Sequence, residues 1–131
     1  MTPCASIDTL ITLCPDLEGW PRSWSDNPHG IAAGEQIVEY IKPFLRQLLA
    51  AELATKTVRR HRDHLWMLGG EVIHRLEDDD SLRAFNIDQP SALLVEEDGG
   101  PLVWPHITES QQNAFDATCR KFYRYLVSTA K

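Results

Sequence analysis

The stretch that decides the fold is residues 55–76, TKTVRRHRDHLWMLGGEVIHRL. At about 100° per residue its apolar side chains share one side of an α-helix: Val58, Leu65, Leu68, Val72 and Leu76. Thr55 can act as a helix N-cap, so the pattern predicts a helix over 56–76. Gly69 and Gly70 each disfavour a helix by about 1 kcal/mol relative to alanine. They predict a close helix–helix crossing or a local bend, with a break into two helices as the alternative.

Amphipathic helices are also predicted before and after this stretch. From about 31 to 53, apolar residues recur at intervals of three and four: Ile37, Ile41, Phe44, Leu45, Leu48 and Leu49. Pro43 lies inside that pattern and predicts either a kink or two helices, the second with the proline in its first turn. From about 109 to 128 a third set faces one way: Phe115, Cys119, Phe122 and Leu126. Thr108 and Gln111 have the spacing of a capping box at its start.

The remaining segments lack a long helical pattern. Residues 1–29 are rich in Pro, Asn and Gly and predict an ordered arm, irregular except for two helical turns before Pro15. We expect Trp20 and Trp24 to pack on the body; a ligand-stacking platform is the alternative. The acidic run 77–80 predicts a solvated helix end, followed by one further turn over 81–85. Two apolar runs between 91 and 104 flank Gly99 and Gly100, which predicts a short β-hairpin or an extended loop lying on the helices.

These elements predict a mainly α fold, a compact bundle of about four helices. We expect a single domain over 1–131, made of the arm 1–29 and a helical core over 30–131. A chain of 131 residues, 43% hydrophobic and 24% charged, is long enough to bury one core and unlike a disordered or fibrous protein. No apolar stretch approaches the roughly 18 residues of a membrane span, and the first residues do not form a signal peptide. We therefore expect a cytoplasmic protein without membrane contact.

The cysteines and histidines do not form a recognisable site. Cys4, Cys14 and Cys119 contain no CxxC pair, so we predict neither a disulfide framework nor a zinc cage, and Cys119 is expected to be a buried thiol.

Two histidine spacings bear on metal chemistry. His61 and His64 are three residues apart. Glu71 and His74 have the ExxH spacing of di-iron bundles, but such a site needs two copies and two more carboxylates. His61 is expected at the boundary of the buried face, and His64 and His74 on the outer face. The sequence therefore predicts no catalytic residue, no metal and no cofactor, and a metal-dependent enzyme ranks behind the two functions given below.

Charge is distributed unevenly along the chain. The net charge of −6 argues against a uniformly basic surface that coats nucleic acid. However, residues 55–76 carry five basic and two acidic side chains, and 117–131 carry four basic and no acidic ones. Segment 77–98 carries eight acidic side chains and one basic one. The basic residues form two predicted patches: Lys56, Arg59, Arg60 and Arg62, and then Arg120, Lys121, Arg124 and Lys131.

These patches have two interpretations. One is phosphate binding, which exposed N–H groups at a helix N-terminus would favour. The other is that the basic side chains solvate the helices and pair with Glu35, Glu39 and Glu52 of the first helix.

Segment 41–76 resembles a known family. An amphipathic helix, a helix start of sequence ATKTV at 54–58 and a basic helix with inward-facing leucines are similar to the N-terminal core-binding domain of tyrosine recombinases and phage integrases. The last helix resembles the closing helix of that domain. The resemblance implies a SAM-like bundle that clamps the phosphates of duplex DNA, with Lys56, Thr57, Arg59 and Arg60 at the matching helix start.

The chain departs from the family in three ways. The catalytic arginines, histidine and nucleophilic tyrosine have no counterpart in these residues, and Tyr123 and Tyr125 lie on the predicted closing helix. The net charge is acidic, and the apolar runs between 91 and 104 are an addition to the pattern.

Two functions follow from these observations. The first is a small helical module, not an enzyme, that contacts the backbone of duplex DNA through these residues: Lys56, Thr57, Arg59, Arg60, Arg62, Arg120, Lys121 and Arg124. The alternative is an acidic protein-interaction or regulatory module that binds a protein partner or forms a homodimer through the apolar runs 93–95 and 102–104, with no nucleic-acid binding.

Overall fold

Three long α-helices make up most of the molecule. The computed structural model describes residues 10, 12–77 and 79–129. In these residues the long helices are α2 (Pro28–Ala50), α3 (Thr55–Arg75) and α5 (Glu109–Thr129), and the short ones are α1 (Trp20–Trp24) and α4 (Asp79–Arg83). Two 3₁₀ turns, Leu17–Gly19 and Pro90–Leu93, precede α1 and follow α4. The mainly helical, compact architecture is as predicted.

The first long helix begins earlier than its apolar pattern. The side chain of Asn27 caps α2 by accepting the backbone N–H of His29 at 2.7 Å, and Pro28 occupies the first turn, where its missing N–H does no harm. Pro43 lies inside one helix, so the two-helix alternative is wrong. The expectation of irregular backbone over 1–29 is wrong at Trp20–Trp24, where α1 forms with Pro21 in its first turn. Residues 1–9 and 11 lie outside the described part of the chain.

Helix α3 continues through both glycines, which excludes the predicted break. Its N-cap is Ala54, and no side chain caps it, so the predicted capping by Thr55 is wrong. The close approach predicted at the glycines is made by α1. A side chain added at Gly69 would overlap the indole ring of Trp24.

The core lies between the three long helices. Helix α2 contributes Phe44, whose ring centroid is 5.0 Å from that of Phe122 on α5. Leu65 and Leu68 of α3 and Phe115 of α5 are fully buried beside them. The predicted capping box at the start of α5 is confirmed: Thr108 N–H donates to Gln111 Oε1 at 2.8 Å, and Gln111 N–H donates to Thr108 Oγ1 at 3.0 Å.

The predicted hairpin is absent from the described part of the chain, where the 3₁₀ turn Pro90–Leu93 leads into a loop over 94–104. Among these described residues the only β-pairing is an isolated antiparallel bridge between Glu96 and Gly99. The apolar runs do not pair because the buried side chain of Gln112 satisfies the backbone of the second run. Its Oε1 accepts the N–H groups of Val103 at 2.7 Å and Trp104 at 2.9 Å. A helix side chain thus takes the place of a partner strand.

Candidate functional site

Helices α3 and α5 run antiparallel, and this brings together the two predicted basic patches. Leu53, just before α3, lines a groove with Lys121 and Arg124 near the end of α5. Further along α3, His61 contacts Thr118 of α5. The start of α3 therefore lies beside the end of α5. We call the surface formed there the basic face, and it comprises Lys56, Arg60, Lys121 and Arg124. Lys56 precedes Arg60 by one turn and shares its side of α3, whereas Arg59 lies about 100° further round the helix, on the side of Arg62 and Asp63.

The surroundings of His61 show that Arg60 and Lys121 of the basic face lie close together. Its ring is half-buried between the two helices and within electrostatic reach of both Arg60 and Lys121. Burial, followed by the positive charge of Lys121 and then by His64 and Arg60, lowers the pKa of His61. Two cations separated by about sixty positions in the sequence are therefore neighbours in the fold.

The cations of the basic face are not neutralised within the described residues. Neither its four cations nor Arg59 make a salt bridge with a carboxylate of residues 10, 12–77 or 79–129. The predicted pairing with the first helix is not observed there, since Glu39 binds Lys42 at 3.0 Å instead. Within 51–60 the one acidic residue is Glu52, in the turn that precedes α3. The N-terminal turn of α3 contains no acidic residue.

Other predicted contact residues lie elsewhere or are engaged within the molecule. Arg62 donates from Nη1 to the carbonyl oxygen of Leu13 at 2.8 Å and from Nε to Asp63 at 2.9 Å, which fastens the N-terminal segment to α3. Arg120 donates to the carbonyl oxygen of Asp98 at 3.1 Å and holds the loop.

The remaining residues of the predicted DNA contact and basic patches are Thr57 and Lys131. Thr57 is half-buried at the start of α3. Lys131, which the sequence places in the second patch, falls outside the described residues.

A buried hydroxyl joins two histidines, a feature that the sequence analysis missed. Thr118 is 1% exposed, and its Oγ1 lies 2.7 Å from Nδ1 of His61 and 2.7 Å from Nδ1 of His64. The single hydroxyl hydrogen of Thr118 can be donated to only one of the two Nδ1 atoms. When both rings are neutral, the other Nδ1 therefore carries its own hydrogen and donates it to Thr118 Oγ1. The available signal was a threonine on the apolar face of α5, next to Cys119.

His64 is therefore not on the outer face as predicted. It is half-buried, its ring meets Phe115 edge-on with centroids 5.9 Å apart, and burial lowers its pKa. His74 is exposed as predicted, with Nδ1 3.0 Å from Glu77.

The two described cysteines are buried thiols. Burial is the main reason that the pKa of Cys119 is raised, and it raises the pKa of Cys14 to about 12. The prediction for Cys119 is confirmed. Cys4 lies outside the described residues. Among the side chains that the structure describes, no group of three His, Cys, Asp or Glu residues is placed to hold a metal ion.

An open cleft of about 750 Å³ lies on the outer side of α3. It is bounded by the N-terminal segment at Asp16 and Trp20, by the middle of α3 and by the start of α5 at Gln111. From α3 the cleft receives Asp63, His64 and Trp66. The sequence analysis did not predict this site, because its walls come from three distant segments.

Comparison with protein-family models, with curated proteins and with solved structures gives no match to this chain. The resemblance to recombinase core-binding domains therefore stays a prediction. A search of the described helices for a membrane-crossing segment finds none of sufficient length and apolarity.

Proposed function

We propose that this protein is a small cytoplasmic helical module that contacts the phosphate backbone of duplex DNA through the basic face and has no catalytic residues of its own. The observation that carries the proposal is the convergence of four cations, from two segments far apart in the sequence, on one surface without neutralising salt bridges among the described residues.

The chemistry of this face suits phosphate. Lys and Arg side chains that lack intramolecular partners release counterions when they meet a phosphate, which supplies most of the sequence-independent affinity for DNA. The first N–H groups of α3 lie at the same end of the helix as Lys56, and Ala54 offers them no capping side chain. Their partial positive charge adds to the attraction.

The acidic remainder of the molecule limits how DNA would be held. With a net charge of −6, a duplex is repelled by most of the surface and attracted only at the basic face. Binding should therefore be weak, oriented and sensitive to salt. The resemblance to recombinase core-binding domains adds support, since Lys56, Thr57, Arg59 and Arg60 occupy the positions that such domains use at the helix start.

A salt-dependent titration tests the proposal. Fluorescence anisotropy of a labelled duplex, measured from about 50 mM salt upwards, should give a linear fall of log affinity with log salt, with a slope of about −0.9 for each phosphate contact. Arg60→Gln with Lys121→Gln should make the slope shallower by about 1.8. Lys56→Gln with Arg60→Gln tests the α3 side of the face in the same way.

The matched control removes two positive charges elsewhere. Arg22 and Arg46 are exposed and lie on α1 and α2, outside the basic face. Arg22→Gln with Arg46→Gln should lower the affinity slightly and leave the slope unchanged. A flat titration at about 50 mM salt, or equal loss of slope in both double variants, would refute DNA contact through this face.

A protein-interaction module is the second candidate, and one observation favours it. Leu102 is 64% exposed and Trp104 is 49% exposed, side by side on the loop that Gln112 fixes. Large apolar side chains held rigidly in solvent are typical of a contact surface. Light scattering should then report a mass above that of the monomer, and Leu102→Ser with Trp104→Ser should restore the monomer. A monomeric protein that binds DNA excludes this homodimer.

A further inference from the structure

The cleft beside α3 has a rigid aromatic wall. The indole of Trp66 donates its Nε1–H to Ser23 Oγ at 3.0 Å, and the Trp66 carbonyl oxygen accepts the Nε1–H of Trp24 at 3.0 Å. Despite these anchors, Trp66 is 45% exposed. An aromatic ring fixed by hydrogen bonds and left half in solvent is ready to contact a ligand without further loss of conformational entropy.

The polar side chains of the cleft are also held in place by hydrogen bonds to other parts of the molecule. His64 is fixed through Nδ1 by Thr118, and Arg62 is fixed by Leu13 and Asp63. Asp16 receives the thiol hydrogen of Cys14 on Oδ1 at 3.5 Å. Each of these side chains uses one part of its hydrogen-bonding capacity to keep its place, which is the arrangement expected of a preorganised site.

The two carboxylates of the cleft keep capacity as acceptors. For Asp16 and Asp63, one carboxylate oxygen each is without a hydrogen bond or salt bridge to the described residues. Their two negative charges face a single cation, Arg62, because the lowered pKa of His64 leaves that ring neutral at neutral pH. The cleft therefore carries a net charge of −1.

We propose that this cleft binds a small organic cation, an ammonium or guanidinium group attached to an apolar or aromatic body. The charged group would lie between Asp16 and Asp63 and donate hydrogen bonds to their free oxygens, with the face of Trp66 providing a cation–π contact. The apolar body would pack on Met67 and Ile107, which complete the wall. A volume of about 750 Å³ is in the range of small-molecule sites.

Three phenyl compounds on short tethers test the charge preference: phenethylamine, 2-phenylethanol and 3-phenylpropanoate. Binding is followed by nitrogen–proton NMR of the Trp66 indole Nε1–H, assigned with Trp66→Phe. Phenethylamine should bind about tenfold more tightly than 2-phenylethanol, and 3-phenylpropanoate should bind most weakly. Asp16→Asn with Asp63→Asn should abolish the difference between the amine and the alcohol.

The control removes the same charge from another surface. Glu97 and Asp98 are exposed on the 94–104 loop, and Glu97→Gln with Asp98→Asn should preserve the preference for the amine. Thermal melts of both double variants check that they are folded. Asp16 and Asp63 are themselves exposed, so their amides should fit. Equal affinity for the amine and the alcohol, equal loss in the control, or no shift of the Trp66 signal with any compound would overturn the proposal. The result does not depend on DNA binding, since Asp16 and Asp63 lie outside the basic face.

Discussion

Trp24 lies against the backbone of Gly69, and its indole Nε1–H donates to the carbonyl oxygen of Trp66, one turn earlier on α3. The absence of a side chain at Gly69 is thus what allows α1 to dock on α3. Helix α1 touches α2 as well, where a Cβ at Gly34 would lie 2.9 Å from Cα of Pro21. The short WPRSW helix therefore joins the two long helices that precede the loop.

Gly69→Ala should destabilise the protein by about 2 kcal/mol, because its methyl group overlaps the Trp24 ring and overpacked sites lose this much. Gly70→Ala is the matched control. Its methyl group would lie 3.4 Å from Cδ1 of Trp24, an ordinary contact, and alanine favours the helix. Urea denaturation of both variants measures the difference. Equal stability of the two would show that Trp24 does not sit where the structure places it.

Thr118→Val should destabilise the protein by about 2 kcal/mol, since the valine has the same shape but no hydroxyl for the Nδ1 atoms of His61 and His64. Thr118→Ser keeps the hydroxyl and should retain most of the stability. Proton-detected NMR of the imidazoles should show both rings changing environment in the valine variant only. A valine variant as stable as the wild type would contradict the role assigned to the shared hydroxyl.

Stability should fall as the pH is lowered below about 6.5, the ordinary pKa of histidine. Burial lowers the pKa of His61 and His64 in the folded state, so the unfolded chain takes up protons at these positions first. The unfolded state then binds more protons than the folded state, and the free energy of unfolding decreases with falling pH until the folded-state pKa values are passed. Urea midpoints at a series of pH values test this. His61→Gln with His64→Gln should flatten the dependence.

Gln112→Ala should release the loop from α5 and destabilise the protein by about 2 kcal/mol, because the N–H groups of Val103 and Trp104 lose their acceptor. Hydrogen exchange at these two amides should accelerate more than at Leu65 or Leu68 in the core. The neighbouring Asn113 is exposed, and Asn113→Ala is the control that should leave both amides protected. Unchanged exchange in the Gln112 variant would show that another group holds the loop.

The helices were predictable because their apolar spacing is local information. The stripe of Val58, Leu65 and Leu68 is buried on α3, and the Thr108–Gln111 box starts α5 as its spacing indicates. Boundaries were less predictable. Asn27 and Pro28 start α2 before its apolar pattern begins. Ala54 occupies the N-cap position of α3 in place of Thr55, whose side chain is the better cap, because tertiary packing outweighs small local preferences.

Long-range contacts account for what the sequence did not indicate. Two apolar runs around Gly99 and Gly100 predicted a hairpin or an extended loop. The hairpin does not form, because the N–H groups of the second run donate to Gln112, whose orientation depends on the position of α5. The two basic patches were visible in the sequence as charge sums. Their union into one face follows only from the antiparallel docking of α3 on α5. The cleft at Trp66 requires three segments at once, which no local pattern encodes.

The position of Phe115 and Phe122 on the last helix has a consequence for how the chain is made. Both rings are fully buried against residues of α2 and α3 that leave the ribosome earlier. During synthesis, the apolar faces of α2 and α3 therefore stay uncovered until α5 has emerged. A nascent chain in that condition is prone to aggregate and is a natural client for chaperones. A nascent chain stalled before residue 109 has been added should accordingly be sensitive to protease. A chain released after Leu126 has been added should be resistant.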